Sequence, residues 1–356
     1  VAKILVVHPG PDFSVADVYQ GWLKALRKSG HQISTYNTNE RLTFYGRALF
    51  EEPGHEPCEH GRVAVRRAVA DGASIAALAT KGLLEECFLN PPDVVFFISA
   101  FFQPGDALQA IKDHGIKIVM LHTESPYQDT EQQLRGAYAD LNLLNDPVNI
   151  EAWRKLGIPV AYVPHSYDPD VHFPVYPRQP SIDFAFVGTA FKTRCEFFSK
   201  MNFEGLDVVL GGNAWDQIDP EFYPLYKYLG HQPDTCVDNT ETARVYRMAR
   251  TGINFYRRES EDEHRGEGWA MGPREVEMAA CGLFFVRDPR PESDETFPML
   301  PTFDGPEDAE EKLRWYASHE RERDDLADQA NMAIERWTFT NRAKQVMKLM
   351  EAEGIV

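Results

Sequence analysis

The chain has 356 residues, 43% of them hydrophobic and 26% charged, with 37 Lys and Arg against 55 Asp and Glu for a net charge of −18. That length exceeds one ordinary core and falls short of three, so two domains of α/β size are expected. The acidic excess argues against a general binder of nucleic acid or anionic membrane, which needs a basic surface, while leaving room for a local basic groove. The longest nearly continuous apolar stretch, Val94 to Phe102, is broken by Ser99 and falls far short of the ~20 residues of a membrane helix. The chain opens on KILVV without a signal-peptide pattern, and its five cysteines (58, 87, 195, 236 and 281) are scattered and odd in number. These features lead us to expect a cytoplasmic protein without membrane insertion or a disulfide framework.

Lys3 to Val7 is an apolar run ending at His8-Pro9-Gly10 and reads as a buried strand feeding a loop. Val15, Val18, Tyr19, Trp22, Leu23 and Leu26 then recur at helical spacing until Gly30 stops the pattern. His31 to Tyr36 is the next strand, and Ala-rich stretches at 63–70 and 73–87 read as helices. A regular rhythm follows: strand 94–98, helix 106–114 closed by Gly115, strand 117–121, helix 130–139, strand 141–144, helix 148–156 closed by Gly157, and strand 160–163. Strands alternating with helices imply parallel crossovers, so this half is expected to form a doubly wound sheet.

Prolines 164, 169, 174, 177 and 180 mark a linker, because proline breaks helices and cannot donate to a ladder. The alternation then restarts: strand 182–187, helix 194–201, strand 206–210, helix 240–248, strand 252–256, helix 273–280 and strand 283–286. From Pro306 onward the pattern is helical, ending with a segment at 341–351. The expected organisation is a first Rossmann-like domain at 1–165, a linker at 166–181, a second domain at 182–335, and a terminal helix at 336–356 packing back on the first. Such an arrangement places a cleft at the carboxyl ends of both sheets, where open α/β sheets bind ligands.

The most informative segment is GEGWAMGPREVEMAACG, Gly266 to Gly282. Gly266, Gly268 and Gly272 give a pliable loop, and Pro273 suits the first turn of a helix. The free amides of that turn and the helix dipole favour an anion, and Arg274 adds a planar fork that fits phosphate oxygens. Glu277 shares a helical face with Arg274, where its carboxylate can accept two ribose hydroxyls, while Glu275 points elsewhere. Spacing alone also fits a capped helix with a surface Arg–Glu pair.

REVEMAACG (274–282) resembles the R-x-x-E-x-x-A-C-G segment of GT-B glycosyltransferases, in particular the spore-maturation-protein-like branch of the group-1 enzymes. Three further segments resemble that group in the same order: HTESPY (122–127), VPHSYDPDVHFP (163–174) and DFAFVGTAFKTR (183–194). The resemblance implies two Rossmann-like domains facing across a cleft, the second gripping a nucleoside-diphosphate sugar and the first an acceptor. It implies that Gly188, Thr189 and Gly272 let backbone approach the diphosphate, with Arg194 and Arg274 as counter-charges. Glu277 would hold the ribose, Asn254 would face the same cleft, and His122 would approach the transferred sugar. The acceptor-side candidates are His8, Asp17 and Glu124, since an inverting transfer needs a carboxylate or histidine at the acceptor hydroxyl.

The chain departs from the better-known group-1 pattern, in which a second glutamate lies eight positions before the ribose-binding one: here that position is Trp269. HEPCEH offers His55, Cys58 and His60 but no second pair at zinc-finger spacing, and Asp168 and Asp170 lie in the proline linker, so no metal and no other cofactor is expected. RRESEDEHRGE (257–267) is a charge-dense run that reads as a solvated loop or a donor lid. The expected activity is transfer of a sugar, of hexosyl or related type, from a nucleoside-diphosphate donor to an acceptor hydroxyl. The acceptor is left open among glycan, protein, small molecule and modified DNA. The rivals are a nucleotide-sugar epimerase, a non-catalytic nucleotide-sugar or glycan binder, and a phage-type transferase acting on modified DNA bases through a patch such as Arg62, Arg66 and Arg67.

Overall fold

The computed structural model describes residues 1–10, 14–49, 51–58, 61–68, 71–259 and 268–356. The chain runs β1 (Lys3–Val7), α1 (Ser14–Leu26), β2 (Gln32–Tyr36), α2 (Thr38–Phe44), β3 (Glu51–Cys58), β4 (Gly61–Ala68), α3 (Gly72–Leu89), β5 (Val94–Ile98), α4 (Gly105–Asp113), β6 (Lys117–His122), α5 (Asp129–Gly136), β7 (Leu141–Leu144), α6 (Ile150–Lys155) and β8 (Val160–Tyr162). The second lobe continues with β9 (Ile182–Val187), α7 (Lys192–Ser199), β10 (Val208–Gly211), α8 (Asn239–Met248), β11 (Ala249–Asn254), α9 (Pro273–Ala280), β12 (Phe284–Arg287), α10 (Pro291–Thr296), α11 (Pro306–Ser318), α12 (Glu320–Ala333) and α13 (Phe339–Ala352).

The first lobe holds a six-stranded parallel sheet in the order β2-β1-β5-β6-β7-β8, and the second a four-stranded parallel sheet in the order β10-β9-β11-β12. The apolar runs that mark the strands divide by the two-residue period of the pleat. Ile4 and Val6, Val94, Phe96 and Ile98, and Val119 and Leu121 face one way, against Trp22 and Leu26 of α1 and Val346 and Met350 of α13. Leu5, Val7, Val95, Phe97, Ile118 and Met120 face the other, against Leu83 of α3 and Leu108 and Ile111 of α4. Covering both faces in this way is what makes the sheet doubly wound.

One local expectation fails. The stretch at 63–70 is not a helix: Gly61–Ala68 is a strand paired antiparallel with Glu51–Cys58, and residues 69 and 70 lie outside the described residues. Val63 and Val65 alternate with a period of two, and β-branched residues at that spacing suit a pleated ribbon better than a helix.

The chain crosses between the lobes twice, and the two crossings are stitched together. Tyr167 donates its amide to Trp337 O (3.0 Å) and accepts from Phe339 N (3.1 Å). The Phe339 ring seats edge-on to Trp22 at 6.0 Å, directly over Gly21, where a Cβ would lie 2.3 Å from it. Lys24 of α1 ties the linker down through Asp168 (3.0 Å) and Asp170, so the D-x-D pair is an anchor for the hinge.

Candidate active site

The carboxyl ends of both sheets face each other across two adjoining cavities of about 190 and 210 Å³. A wider concavity of about 560 Å³ lies at the opposite, amino-terminal end of the second sheet. Its arginines are committed: Arg250 pairs with Asp183, Arg314 with Glu310 and Arg323 with Asp324. The cleft is different.

Arg274, on the first turn of α9, donates through Nε to Val187 O (2.7 Å) and through Nη1 to Asn254 Oδ1 (3.0 Å). Arg194, on α7, donates through Nε and Nη2 to Phe255 O (3.2 and 2.9 Å) and through Nη1 to Thr189 O (3.0 Å). Both guanidiniums lie over the Phe186 ring, at 4.8 and 5.5 Å. Burial and the neighbouring Arg274 hold Arg194 well below the usual arginine range. Among the described residues neither arginine has a carboxylate within ion-pair distance. Two unneutralised cations side by side in a cleft create a demand for an anion.

Glycine makes this packing feasible. A Cβ on Gly188 would fall 2.2 Å from Arg274 Nη2, and one on Gly212, whose φ is +122°, would fall 2.2–2.6 Å from the Gly188 backbone. The loops after β9 and β10 can touch only because both lack side chains. Asn254 ends β11 with Oδ1 on Arg274, leaving its buried Nδ2 without a partner beside the cavity. The α9 N-terminus offers less than the sequence suggests: the Gly272 amide goes to Glu275 Oε2 (3.1 Å), and Pro273 has none. Glu275 is fully buried and also accepts from Ser293 Oγ (2.6 Å) and the Tyr256 hydroxyl.

Glu277, one turn along α9, lines the 190 Å³ cavity together with Arg274. Burial pushes its carboxyl up to about 7, opposed by Arg274. Asn239 Nδ2 lies 3.5 Å from Glu277 Oε1, while the Asn239 amide donates across the cleft to Asp17 Oδ2 (3.1 Å). Burial, with Glu277 adding repulsion, raises Asp17 to about 6. Glu124 lines both cavities and pairs with Arg257 (3.0 Å).

Two sequence candidates do not belong here. His122 is fully buried at the end of β6, its Nε2 2.8 Å from Asn142 Oδ1 on the neighbouring strand and its ring 5.0 Å from Trp153. Burial lowers it to about 4, and it lines neither cavity. His8 is likewise buried, accepting the Gly10 amide at 3.2 Å and packing edge-on to Tyr19. Asp17, Glu124, Gly188, Thr189, Arg194, Asn254, Gly272, Arg274 and Glu277 all line the cleft.

Several cleft residues escaped the sequence reading. His165, just past β8, lines both cavities. Asp146, past β7, accepts the Ala270 amide (2.9 Å), so a first-lobe carboxylate reaches the loop where Trp269 stands in place of the group-1 glutamate. Trp269 itself packs edge-on to Tyr162 at 5.9 Å. Arg290 donates to Ala270 O and the Tyr127 hydroxyl, both at 3.1 Å. His122 came from the resemblance of HTESPY alone; His165 and Asp146 likewise follow first-lobe strands at their carboxyl ends, and that placement is the signal that could have found them.

Of the charge-dense run, Arg257, Arg258 and Glu259 are held by Glu124, Asp288 and Thr193; residues 260–267, with Gly266 and Glu267, lie outside the described residues. So does His60 of the HEPCEH segment. Among the described residues no group of three or more His, Cys, Asp or Glu is placed to hold a metal ion, and no helix is long and apolar enough to cross a membrane.

Residues 192–348 match a family model described as "Glycosyl transferase-like". No protein of curated function matches the sequence. Among solved structures, a sucrose-phosphate synthase from Thermosynechococcus elongatus is similar, with a TM-score of 0.65 at 12% identity over 99% of both chains. An alpha-glucosyltransferase in complex with UDP gives 0.64 at 13% identity, over 99% of this chain and 100% of that one. A UDP-forming trehalose-phosphate synthase from Burkholderia xenovorans gives 0.62 at 12% identity, over 99% and 100%. The fold is therefore that of the GT-B glycosyltransferases: two Rossmann-like sheets facing across a cleft.

Proposed function

We propose that the protein is a glycosyltransferase moving a sugar from a nucleoside-diphosphate donor to an acceptor hydroxyl. The observation that carries this reading is the pair Arg194 and Arg274, neither with a carboxylate within ion-pair distance among the described residues, beside the unpartnered Asn254 amide and one helical turn from Glu277. A diphosphate supplies the missing negative charge, and the adjoining ribose then falls to Glu277. The sugar would extend into the 210 Å³ cavity, between the Gly268–Gly272 loop and the first lobe. Catalysis would rest on holding donor and acceptor together and on neutralising the departing diphosphate.

The four segments in common order favour the spore-maturation-protein-like branch, and a hexosyl group is the transferred sugar this reading adopts. The UDP in the complexed alpha-glucosyltransferase makes UDP-sugars the first donors to try. Nucleoside-diphosphate release from UDP-, GDP-, ADP- and dTDP-hexoses, with and without candidate acceptors, tests the proposal. Arg274→Ala should lower turnover about 10-fold or more, as expected for losing a charge-assisted contact to the leaving group; wild-type rates would remove Arg274 from the mechanism. Isomerisation of the donor without an acceptor would instead indicate an epimerase.

A further inference from the structure

Transfer to a hydroxyl releases a proton, which either the departing diphosphate or a group of the first lobe can take. Three of its candidates are otherwise engaged: His122 lies in the core, the Glu124 carboxylate is tied to Arg257, and Asp17 accepts the Asn239 amide. His165 is not. It follows the edge strand β8 at the carboxyl end of the first sheet and lines the nucleoside-side cavity and the sugar-side cavity alike. Among the described residues it is the one histidine that lines either, and its ring nitrogens make no hydrogen bond to the protein. Across the cleft from it stand Thr189, Pro273 and Arg274, the elements to which the diphosphate reading assigns the leaving group.

On the strength of that reading, we propose that His165 is the catalytic proton carrier, taking the proton of the acceptor hydroxyl at the junction of the two cavities. The acceptor oxygen forms the bond to the anomeric carbon, and the bond from that carbon to the diphosphate oxygen breaks, its electron pair leaving on the diphosphate. The acceptor proton passes to the free imidazole nitrogen, which returns it to the diphosphate or to water. Burial and the nearby Arg290 hold the imidazole down at about 4, so it is neutral and able to accept. An arriving diphosphate places negative charge next to it and strengthens it as a base.

The test uses full-length protein with whichever nucleotide-sugar the wild type turns over, comparing His165→Ala and His165→Asn, the second of which keeps a polar group but carries no transferable proton. Both should lose about 100-fold or more in kcat, the usual contribution of a positioned acid–base group, while UDP affinity by calorimetry stays within about twofold. Added imidazole should restore part of the His165→Ala rate and none of the His165→Asn rate. A base that merely shapes the cleft would show no such rescue. Near-wild-type turnover in His165→Asn, or the absence of rescue, overturns the assignment and leaves glycosyl transfer standing. A wild type that releases nucleoside diphosphate from none of the donors overturns the transfer reading itself, and this assignment with it.

Discussion

Gly188→Ala separates the role of Arg274 from the stability of the fold. The added Cβ would lie 2.2 Å from Arg274 Nη2 and 3.0 Å from its Cζ, with Phe186 Cζ at 2.9 Å. These are the far ends of side chains, so the backbone need not move, but the guanidinium must leave the Val187 carbonyl and Asn254 Oδ1 that aim it. A charge-assisted hydrogen bond contributes about 1.5–3 kcal/mol, so losing one such contact to the diphosphate weakens UDP binding by roughly 10- to 150-fold. The melting temperature should fall by only a few degrees. Gly212→Ala provides the contrast: its Cβ would strike the Gly188 backbone itself, at a φ of +122°, so here stability should drop first. Calorimetric titration of UDP alongside thermal unfolding reads both. If Gly188→Ala bound UDP as tightly as the wild type, Arg274 would have no part in holding the diphosphate.

Two further outcomes follow from the same geometry. Glu277→Ala should weaken UDP by about 10-fold or more through the lost ribose hydrogen bonds, while inorganic pyrophosphate, which has no ribose, should bind within about twofold of wild type; equal losses for both would move Glu277 off the sugar. Asp17→Asn should change the pH dependence of stability. Its folded carboxyl is raised from 3.8 to about 6 by burial and Glu277, so ionisation costs the folded state stability above pH 6, and this cost disappears as the pH falls toward 4. The asparagine retains an acceptor for the Asn239 amide without the charge. The melting temperature of Asp17→Asn minus that of wild type should therefore be positive at pH 8 and shrink toward pH 4; a difference that stays constant would mean Asp17 is not strained by its charge.

Where the sequence speaks through local chemistry, it speaks clearly. Leu141–Leu144, Ile182–Val187 and Pro273–Ala280 have the bounds that apolar runs, proline and glycine set for them. The Arg274–Glu277 spacing likewise placed both side chains on the cleft. What it could not convey is which partner a side chain finds from a distant segment. His122 looks like a strand-end ligand until Asn142, from the adjacent strand, claims its Nε2. Asp146 looks like an ordinary strand-end residue until the Ala270 amide, from the other lobe, reaches it. Arg194 was legible as a cation near a phosphate loop, but not as one whose hydrogen bonds, among the described residues, go to the carbonyls of Phe255 and Thr189. The β3–β4 ribbon was lost for a related reason: its alanines favour a helix locally, and its strand partner lies outside any short window.

The most direct measurement is a crystal structure of the protein with whichever of UDP, GDP, ADP and dTDP raises its melting temperature most. The diphosphate should lie within hydrogen-bonding distance of Arg274 and the Asn254 Nδ2, with both ribose hydroxyls on Glu277. A nucleotide bound elsewhere, for instance in the 560 Å³ concavity at the far end of the second sheet, with Arg274 still turned to Val187 and Glu277 untouched, would contradict it.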